Sequence, residues 1–480
     1  PDRYCIINRS TGFEMAARQL AMDSNGVIGR SVCDGDDSAS YRITLQMDMS
    51  IPSEGYRLSV RADSAFIAAS ELSGAFYGVQ TLLQLLALHS GRLPLVEVSD
   101  WPAYAVRELM VDMGRAPFSL DLLRRIVRIM ARLKLNSLHL HLCDDQLNSL
   151  RYEGLPLGSE NPYALSVADL RSLIEYSRRY CVKIVPEIEA WGHAGSILYH
   201  YPELYGAPGM WEGYSFGIGE ELFSLIKTMT EQIVNVMDDG GSFHFGLDEA
   251  KWALLPSVSE ADKTNYTPAL LVARLHRILK DACARAGKLI TMRCWADHGG
   301  RPIPADIADS VIAEPWMYFE SREDDIIGKV NQYCGDGKPP VIFGAGMSSL
   351  HFSGSFGATR CWSQAGVGQP NARGVDICLW ETNDIVGHLT GIFGGADYVW
   401  SPDSPRIEKN DAFREKTTGF VTRRMKQWQT AFPDAEPVAI RAETGYEVYR
   451  GYYVEGPWRG RPVAPTCVLK DPRGDAGVTQ

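Results

Sequence analysis

The chain has 480 residues, which is too long for one small domain and suits two or three. Hydrophobic residues make up 45% and charged residues 22%, so the protein can bury a large core. The net charge of -11 argues against nucleic acid or an anionic membrane as partner, because phosphates repel an acidic protein. No run of about 18 apolar residues predicts a membrane span. No signal peptide is recognisable, although a leader removed earlier would leave no trace.

The ten cysteines form no CxxC pair and are irregularly spaced. We therefore expect reduced, buried thiols rather than a disulfide framework or a zinc site. Such thiols favour the cytoplasm over an oxidising compartment. We expect a soluble protein without cofactor or metal, and we leave a homodimer open.

Residues 1–100 are predicted to form a small α+β domain. Apolar and polar residues alternate over Tyr41–Met47 and again over Tyr56–Val60, which is typical of half-buried strands. The apolar stretch Gly74–Leu88 predicts a buried helix. The pattern of hydrophobic residues changes after this unit.

From residue 101 to about 402, short apolar runs alternate with amphipathic helices, which predicts a (β/α)8 TIM barrel. A doubly wound open sheet is the main alternative, and the helices after runs six and seven are hard to place. Residues 403–480 are expected to hold a helix near Phe413–Trp428 and an irregular tail. The eight runs are Glu108–Met113, Ser137–Leu142, Val182–Ile188, Ser242–Leu247, Leu289–Trp295, Ser310–Trp316, Val341–Ala345 and Asp376–Trp380.

Three barrel helices have readable ends. Ser119 is a candidate N-cap, Ser166 with Asp169 forms a capping-box pattern, and Thr267-Pro268 opens another helix that Gly287 would close.

In a TIM barrel the active residues follow the carboxyl ends of the strands. Acidic groups after the early runs and indoles after the later ones are typical of a sugar pocket. The residues at those ends are Arg115, Asp144, Asp145, Glu187, Glu189, His193, Asp248, Glu249, Trp295, Trp316 and Trp380.

Simpler interpretations stay open for several of these residues. Asp248 and Glu249 could be acids of a helix N-terminus, where carboxylates are favoured. His139 and His141 have an i, i+2 spacing that metal ligands also use, but no third ligand matches it, so core histidines are favoured. The three tryptophans could be ordinary core residues.

At these residues the chain resembles glycoside hydrolase family 20, the β-N-acetylhexosaminidases, over residues 54–402. The segment EGYRLSV…GAFYGVQTLLQLL (54–86) resembles the family's non-catalytic N-terminal domain. The barrel motifs that carry the resemblance are LMVDMGR (109–115), LNSLHLHLCDDQ (135–146), VPEIEAWGHA (185–194) and HFGLDEA (244–250).

The resemblance implies a retaining exo-glycosidase that removes terminal β-linked GlcNAc or GalNAc from an oligosaccharide or glycoconjugate. Family 20 works by substrate-assisted catalysis. Glu249 would be the general acid and base, while Asp248 would hold the acetamido group whose oxygen attacks C1 to form an oxazolinium. Asp144 and His193 would orient Glu249. The sugar-binding residues would be Arg115, Glu189, Trp295, Trp316, Tyr318, Trp380 and Glu381.

Departures from the family pattern are also visible. Trp191 stands where proline is usual and Leu247 where glycine is common. The seventh run lacks the tyrosine that binds the acetamido oxygen, which makes Tyr318 the candidate. Thr382 stands where an acid is usual, so we expect some departure from ordinary GlcNAc preference.

Three alternatives remain beside this interpretation. The enzyme could be narrower in specificity, as a GalNAc-selective, sulfo-sugar or disaccharide-releasing hydrolase. The barrel could be a sugar-binding protein without turnover. A metal-dependent hydrolase using His139, His141 and His193 is the third.

Overall fold

The computed structural model describes residues 3–24, 30–32, 41–89, 92–159, 161–209, 213–296, 303–348, 356–383, 385–403, 447–451 and 466–470. The helix expected near Phe413–Trp428 lies outside these residues. None of the helices in the described ranges is long and apolar enough to cross a membrane.

The described residues of the N-terminal unit form a six-stranded sheet with two helices, in the strand order β2-β1-β3-β5-β4-β6. Its predicted strands and its long helix are confirmed. The elements are β1 (Arg3–Asn8), α1 (Glu14–Ser24), β2 (Arg30–Val32), β3 (Tyr41–Met47), β4 (Tyr56–Val60), β5 (Ser64–Ala69), α2 (Leu72–Leu88) and β6 (Val96–Asp100).

Eight parallel strands then close into a barrel, which confirms the predicted fold and excludes the open sheet. They are β7 (Val106–Asp112), β8 (Ser137–His141), β11 (Lys183–Glu187), β14 (Ser242–His244), β15 (Thr291–Ala296), β16 (Val311–Pro315), β17 (Val341–Ser348) and β18 (Ala372–Leu379). β7 pairs with both β18 and β8, so the first and last strands meet. The exact division into units 1–100, 101–402 and 403–480 stays a prediction.

The barrel helices are α3 (Leu120–Arg132), α4 (Val167–Arg178), α6 (Glu220–Val234), α7 (Pro268–Ala286), α8 (Glu323–Tyr333), α9 (Gly357–Gly366) and α10 (Ile385–Trp400). Helices therefore follow the sixth and seventh strands, α8 and α9, where the sequence was hard to interpret. Between β15 and β16 the described residues hold one 3-10 turn, Ala308–Ser310.

Shorter elements lie between the main ones or after them. They are β9 (Leu150–Arg151), β10 (Leu165–Ser166), α5 (Gly195–Leu198), β12 (Tyr205–Pro208), β13 (Tyr214–Phe216), β19 (Glu447–Gly451) and β20 (Thr466–Lys470). The last two form an antiparallel pair.

The predicted helix ends are confirmed by their hydrogen bonds. Ser119 accepts the Leu122 N–H at 3.1 Å, and Ser166 forms a capping box with Asp169. Gly287 ends α7 in the left-handed region at φ 65°, a conformation that favours glycine. These local signals fix where each helix starts and stops, and hence which strand-to-helix loops carry the site.

The N-terminal unit is tied to the barrel by buried polar contacts. Arg107 on β7 is fully buried and donates to Glu54 at 2.8 and 3.1 Å. At the end of α10, the Trp400 indole N–H donates to Asp100 at 2.9 Å. A buried arginine is stable only when paired in this way, so the contacts specify how the two units meet.

Candidate active site

Asp248 and Glu249 lie on the loop that follows β14, beside the loop that follows β11. The two loops approach so closely at Gly192 that a Cβ there would lie 2.1 Å from the Asp248 carbonyl oxygen. Only glycine fits such an approach. Gly192 therefore places the next residue, His193, directly against the Asp248-Glu249 pair.

The backbone of both loops is strained. His193, Leu247 and Glu249 have positive φ angles of 46°, 84° and 46°, which non-glycine residues rarely adopt. Leu247 is the residue that replaces the family's common glycine, and its fully buried side chain packs in the core. Such strain persists only when surrounding packing enforces it, and it concentrates at functional sites.

The His193 imidazole lies between two groups of carboxylates. Its Nε2 is 3.5 Å from Asp248 Oδ2 and 3.4 Å from Glu249 Oε2. On the other side, Nδ1 is 3.4 Å from one oxygen of Asp144 and 3.4 Å from Asp145 Oδ2. One imidazole thus connects the loops after β8, β11 and β14.

Burial opposes each charge in this group, but the neighbouring charges outweigh it. Asp144 and Asp248 hold the pKa of His193 well above its usual value. The Arg115 guanidinium and His193 hold the pKa of Asp144 well below its usual range, and His193 lowers that of Asp248. Near neutral pH the arrangement is therefore an imidazolium between ionised aspartates.

Arg115 lies in the same network. Its guanidinium contacts Asp112 at 3.0 Å and Asp144 at 2.7 Å, and it lies 5.4 Å from the ring centroid of Trp380. The side chain keeps 15% of its surface exposed. Asp112 also accepts the backbone N–H of Glu381 at 3.0 Å, so it joins the first and last strand ends of the barrel.

Glu189 is fully buried, and a Cβ at Gly246 would lie 2.0 Å from its Oε2. Burial first, and then the charges of Asp248 and Glu187, raise its pKa well above the usual value, which favours the protonated acid. Its contact with substrate stays a prediction.

The later strand ends carry an aromatic cluster, as expected. Trp295 is fully buried and donates its indole N–H to Glu187 at 2.6 Å. Its ring centroid is 5.9 Å from that of Trp380. Trp316 and Tyr318 are half-buried and stack with their centroids 5.0 Å apart. The structure thus brings the predicted aromatic residues together.

Two glycines of β17 make room for this stack. A Cβ at Gly344 would lie 2.9 Å from Trp316 Cβ, and one at Gly346 would lie 2.5 Å from Tyr318 Cβ. Burial raises the pKa of Tyr318 well above its usual value, and the charges of Asp248 and Glu249 add to the effect. The seventh strand therefore contributes space where the family pattern has a tyrosine, and Tyr318 of the preceding loop fills that space.

The altered stretch after Trp380 turns sharply. Glu381 has a φ of 61°, and its charge acts on Arg115. Asn383 is buried, and its side-chain amide donates a hydrogen bond to the Pro117 backbone carbonyl at 2.9 Å. Thr382 is half-buried between them. The predicted role of Glu381 in sugar binding stays a prediction.

Four groups of acids and histidines lie close enough to share a metal ion within the described ranges, among them His139, Glu187 and His244. His139 and His141 lie on β8 with their rings fully buried, and each contacts Glu187, at 3.1 and 2.5 Å. Imidazole–carboxylate pairing of this kind accounts for the histidines as core residues, the interpretation favoured from sequence.

Sequence reasoning did not assign roles to Asp112, Asp145 or Glu187. Asp145 accepts the Gly195 and Tyr214 N–H groups at 2.9 and 3.1 Å, which anchors the loop that carries His193. Asp112 lies inside the first-strand motif, Asp145 follows β8, and Glu187 is the last residue of β11. Their position at strand ends was the available signal.

Two family models match the chain in the order that the fold requires. The model described as "Glycosyl hydrolase family 20, catalytic domain" matches residues 104–320, and "Glycosyl hydrolase family 20, domain 2" matches residues 7–101. The first match ends near the sixth barrel strand, although the barrel continues to β18.

Two of the curated relatives each match less than half of the chain. A beta-hexosaminidase of Porphyromonas gingivalis is 29% identical over 248 residues, which are 45% of this chain and 32% of that protein. A beta-N-acetylhexosaminidase of Cellulomonas fimi is 32% identical over 40% of this chain and 42% of its own length. The chain thus spans about a third to two fifths of the length of these two relatives.

The solved beta-N-acetylhexosaminidase of Bacteroides fragilis superposes with a TM-score of 0.70 at 19% identity, covering 89% of this chain and 92% of that one. At that identity the likeness shows the fold. The two family models together cover well over half of the sequence, and the chain therefore belongs to glycoside hydrolase family 20.

Proposed function

We propose that this protein is a retaining exo-β-N-acetylhexosaminidase that releases terminal GlcNAc or GalNAc through an oxazolinium intermediate. The observation that carries the proposal is the position of His193, within 3.5 Å of both Asp248 and Glu249 and backed by Asp144. A protein that only binds sugars does not need two carboxylates placed beside an imidazolium.

The two acids of the pair have different tasks in this proposal. The lowered pKa of Asp248 keeps it ionised, so it can accept the acetamido N–H and stabilise the positive charge that develops on the ring of the intermediate. Glu249 donates its proton to the leaving oxygen and then takes one from the incoming water. Its side chain keeps 17% of its surface exposed, which leaves it accessible to substrate.

The aromatic side completes the pocket. Tyr318 stays protonated because its pKa is raised, so its hydroxyl can donate to the acetamido oxygen as that oxygen attacks C1. Trp316 and Trp380 offer ring faces to the apolar side of the sugar, and Arg115 is placed for its hydroxyls. Exo action and retention follow from the family resemblance.

The test uses two classes of aryl glycoside. With nitrophenyl β-GlcNAc and β-GalNAc, Glu249→Gln should lose on the order of a hundredfold or more in kcat/KM, as removal of a general acid does. A dinitrophenyl leaving group needs little protonation, so the loss should shrink for Glu249→Gln but persist for Asp248→Asn. Glu203→Gln, an exposed acid from the loop after β11, is the matched control.

Unchanged turnover of Glu249→Gln on the nitrophenyl substrates would contradict the acid assignment. A thiazoline analogue of the oxazolinium should inhibit the wild type. Indifference to that analogue, with an accumulating enzyme ester, would point instead to a protein nucleophile.

A further inference from the structure

Carboxylates and imidazoles alternate without a break from the middle of the barrel to Glu249. Asp376 Oδ2 is 2.9 Å from His139 Nδ1, and the opposite nitrogen of His139 is 3.1 Å from Glu187 Oε2. The same Glu187 oxygen is 2.5 Å from His141 Nδ1. This line of groups begins at β18 and crosses β8 and β11, entirely inside the barrel.

From His141 the same line of groups continues to the candidate active site. His141 Nε2 is 2.9 Å from Asp144 Oδ2, and the other oxygen of Asp144 is 3.4 Å from His193 Nδ1. His193 Nε2 then meets Glu249 at 3.4 Å. Seven groups of alternating type thus form one connected chain, which we call the buried relay.

Resting on the function proposed above, we propose that the inner part of this relay, Asp376, His139, Glu187 and His141, sets the protonation of Glu249 through Asp144 and His193. The four are positioning residues, because they act on Glu249 through Asp144 and His193.

Geometry favours a positive charge on the three imidazoles. A carboxylate only accepts hydrogen bonds, so a ring nitrogen that faces one is favoured as an N–H. Both nitrogens of His139, His141 and His193 lie within 3.5 Å of carboxylate oxygens, which favours two protons on each ring; the Arg115 guanidinium lies 3.4 Å from His193 Nδ1 as well. The Glu187 and Asp376 charges raise the pKa of His139 to about 10 against the effect of burial, which agrees with this assignment.

The inner end is where the relay can change charge. Burial, together with Glu108, raises the pKa of Asp376 to about 7, although His139 opposes the shift. Arg293 pairs with both Glu108 and Glu314, whereas Asp376 has His139 as its cationic partner. The groups that face the inner part of the relay are Glu108, Glu314 and Cys378 at Asp376, His244 and Trp295 at Glu187, Asp112 at His141, and Glu189 at Glu187 and His141. Those that face its outer part are Arg115 at Asp144, Asp145 at His193, and Asp248 and Tyr318 at Glu249.

The sign of the effect follows from the charge. An ionised Asp376 makes the relay less positive, which disfavours a further negative charge at its outer end. Asp376→Asn removes the inner negative charge, so a carboxylate at the outer end should form more easily. The alkaline limb of kcat/KM should move to lower pH by about half a unit.

The experiment compares pH profiles on nitrophenyl β-GlcNAc. Asp376→Asn should move the alkaline limb down, whereas Asp376→Glu should restore it because the charge returns. Asp23→Asn is the control, since Asp23 is a buried acid paired with Arg132 outside the relay. Asp23→Asn also removes a buried ion pair, but the alkaline limb of its kcat/KM profile should not move. An unmoved limb in Asp376→Asn, or an equal shift in Asp23→Asn, would overturn the proposal.

A second measurement needs neither a variant nor activity. In untagged wild type labelled with 15N-histidine, at least three of the ten histidines should keep both ring N–H protons at pH 8.5. Fewer than three would refute the relay even if the variants fail to fold. Absence of hydrolysis by the wild type, with three charged imidazoles present, would reject the proposed function and leave the relay's charge state standing.

Discussion

Gly346 of β17 lies against the ring of Tyr318, so closely that a methyl group at Gly346 would come within 2.5 Å of Tyr318 Cβ and Cγ. Real side chains essentially never approach so closely, and the ring is held by Trp316 on one face. The glycine is therefore what allows a tyrosine from the loop after β16 to enter the candidate site.

Gly346→Ala should displace Tyr318 and lower kcat/KM by about tenfold or more, because small displacements of positioned groups cost up to a hundredfold. Gly328→Ala is the control: it lies in α8, where an added Cβ meets nothing within 4 Å. That variant should keep full activity and gain slightly in thermal stability. Full activity in Gly346→Ala would show that the Tyr318 position does not matter.

Tyr318→Phe tests the hydroxyl alone, since the ring and its packing remain. Loss of a hydrogen-bond donor to the developing charge should lower kcat/KM on nitrophenyl β-GlcNAc by about a hundredfold. Binding of the thiazoline analogue should weaken in parallel. Tyr199→Phe, which changes an exposed tyrosine of the same barrel face, serves as the reference. Equal kinetics of the two variants would remove Tyr318 from the proposed mechanism.

The local signals in the sequence predicted the architecture well. Helix caps such as Ser119 and Gly287 can be recognised from residues close to them in the sequence. Strand-end acids such as Asp144 can be recognised once the order of the strands is known. Both kinds of feature can be identified without knowing the three-dimensional contacts. The fold and the group around His193 could therefore be predicted before any coordinates.

The buried relay could not be predicted in the same way. Glu108 and Asp376 begin the first and eighth apolar runs in the sequence, so the apolar pattern places each at a strand boundary. In the structure both lie inside their strands, fully buried. Their charges are tolerable only because of partners far along the chain, Arg293 for Glu108 and His139 for Asp376. Hydrophobic periodicity carries no information about such pairs.

Chelation separates the proposed mechanism from a metal-dependent hydrolase. We expect prolonged dialysis against EDTA to leave kcat/KM unchanged, because the carboxylates of Glu187 and Asp144 are already paired with imidazolium groups. The measurement is activity before and after dialysis, with zinc and manganese added back to separate samples. Loss of activity that one metal restores would instead favour an ion at His139, Glu187 and His244.

Glu108 should make stability depend on acid pH. Burial alone would raise its pKa, but Arg293 and His139 lower it to about 2, from an ordinary 4.5. Because the folded value is the lower one, the stabilisation is fully present above about pH 4.5 and is lost as pH falls toward 2. Glu108→Gln leaves Arg293 with one fewer anion and should cost about 3 kcal/mol or more at pH 7.

Urea unfolding at several pH values measures this dependence. The difference in unfolding free energy between wild type and Glu108→Gln should narrow below pH 4.5, where the wild type begins to protonate Glu108 on unfolding. Glu97→Gln, whose carboxylate pairs with Arg61 on the exposed surface, should differ little from wild type throughout. A gap that stays constant down to pH 3 would mean that Glu108 keeps an ordinary pKa in the folded barrel.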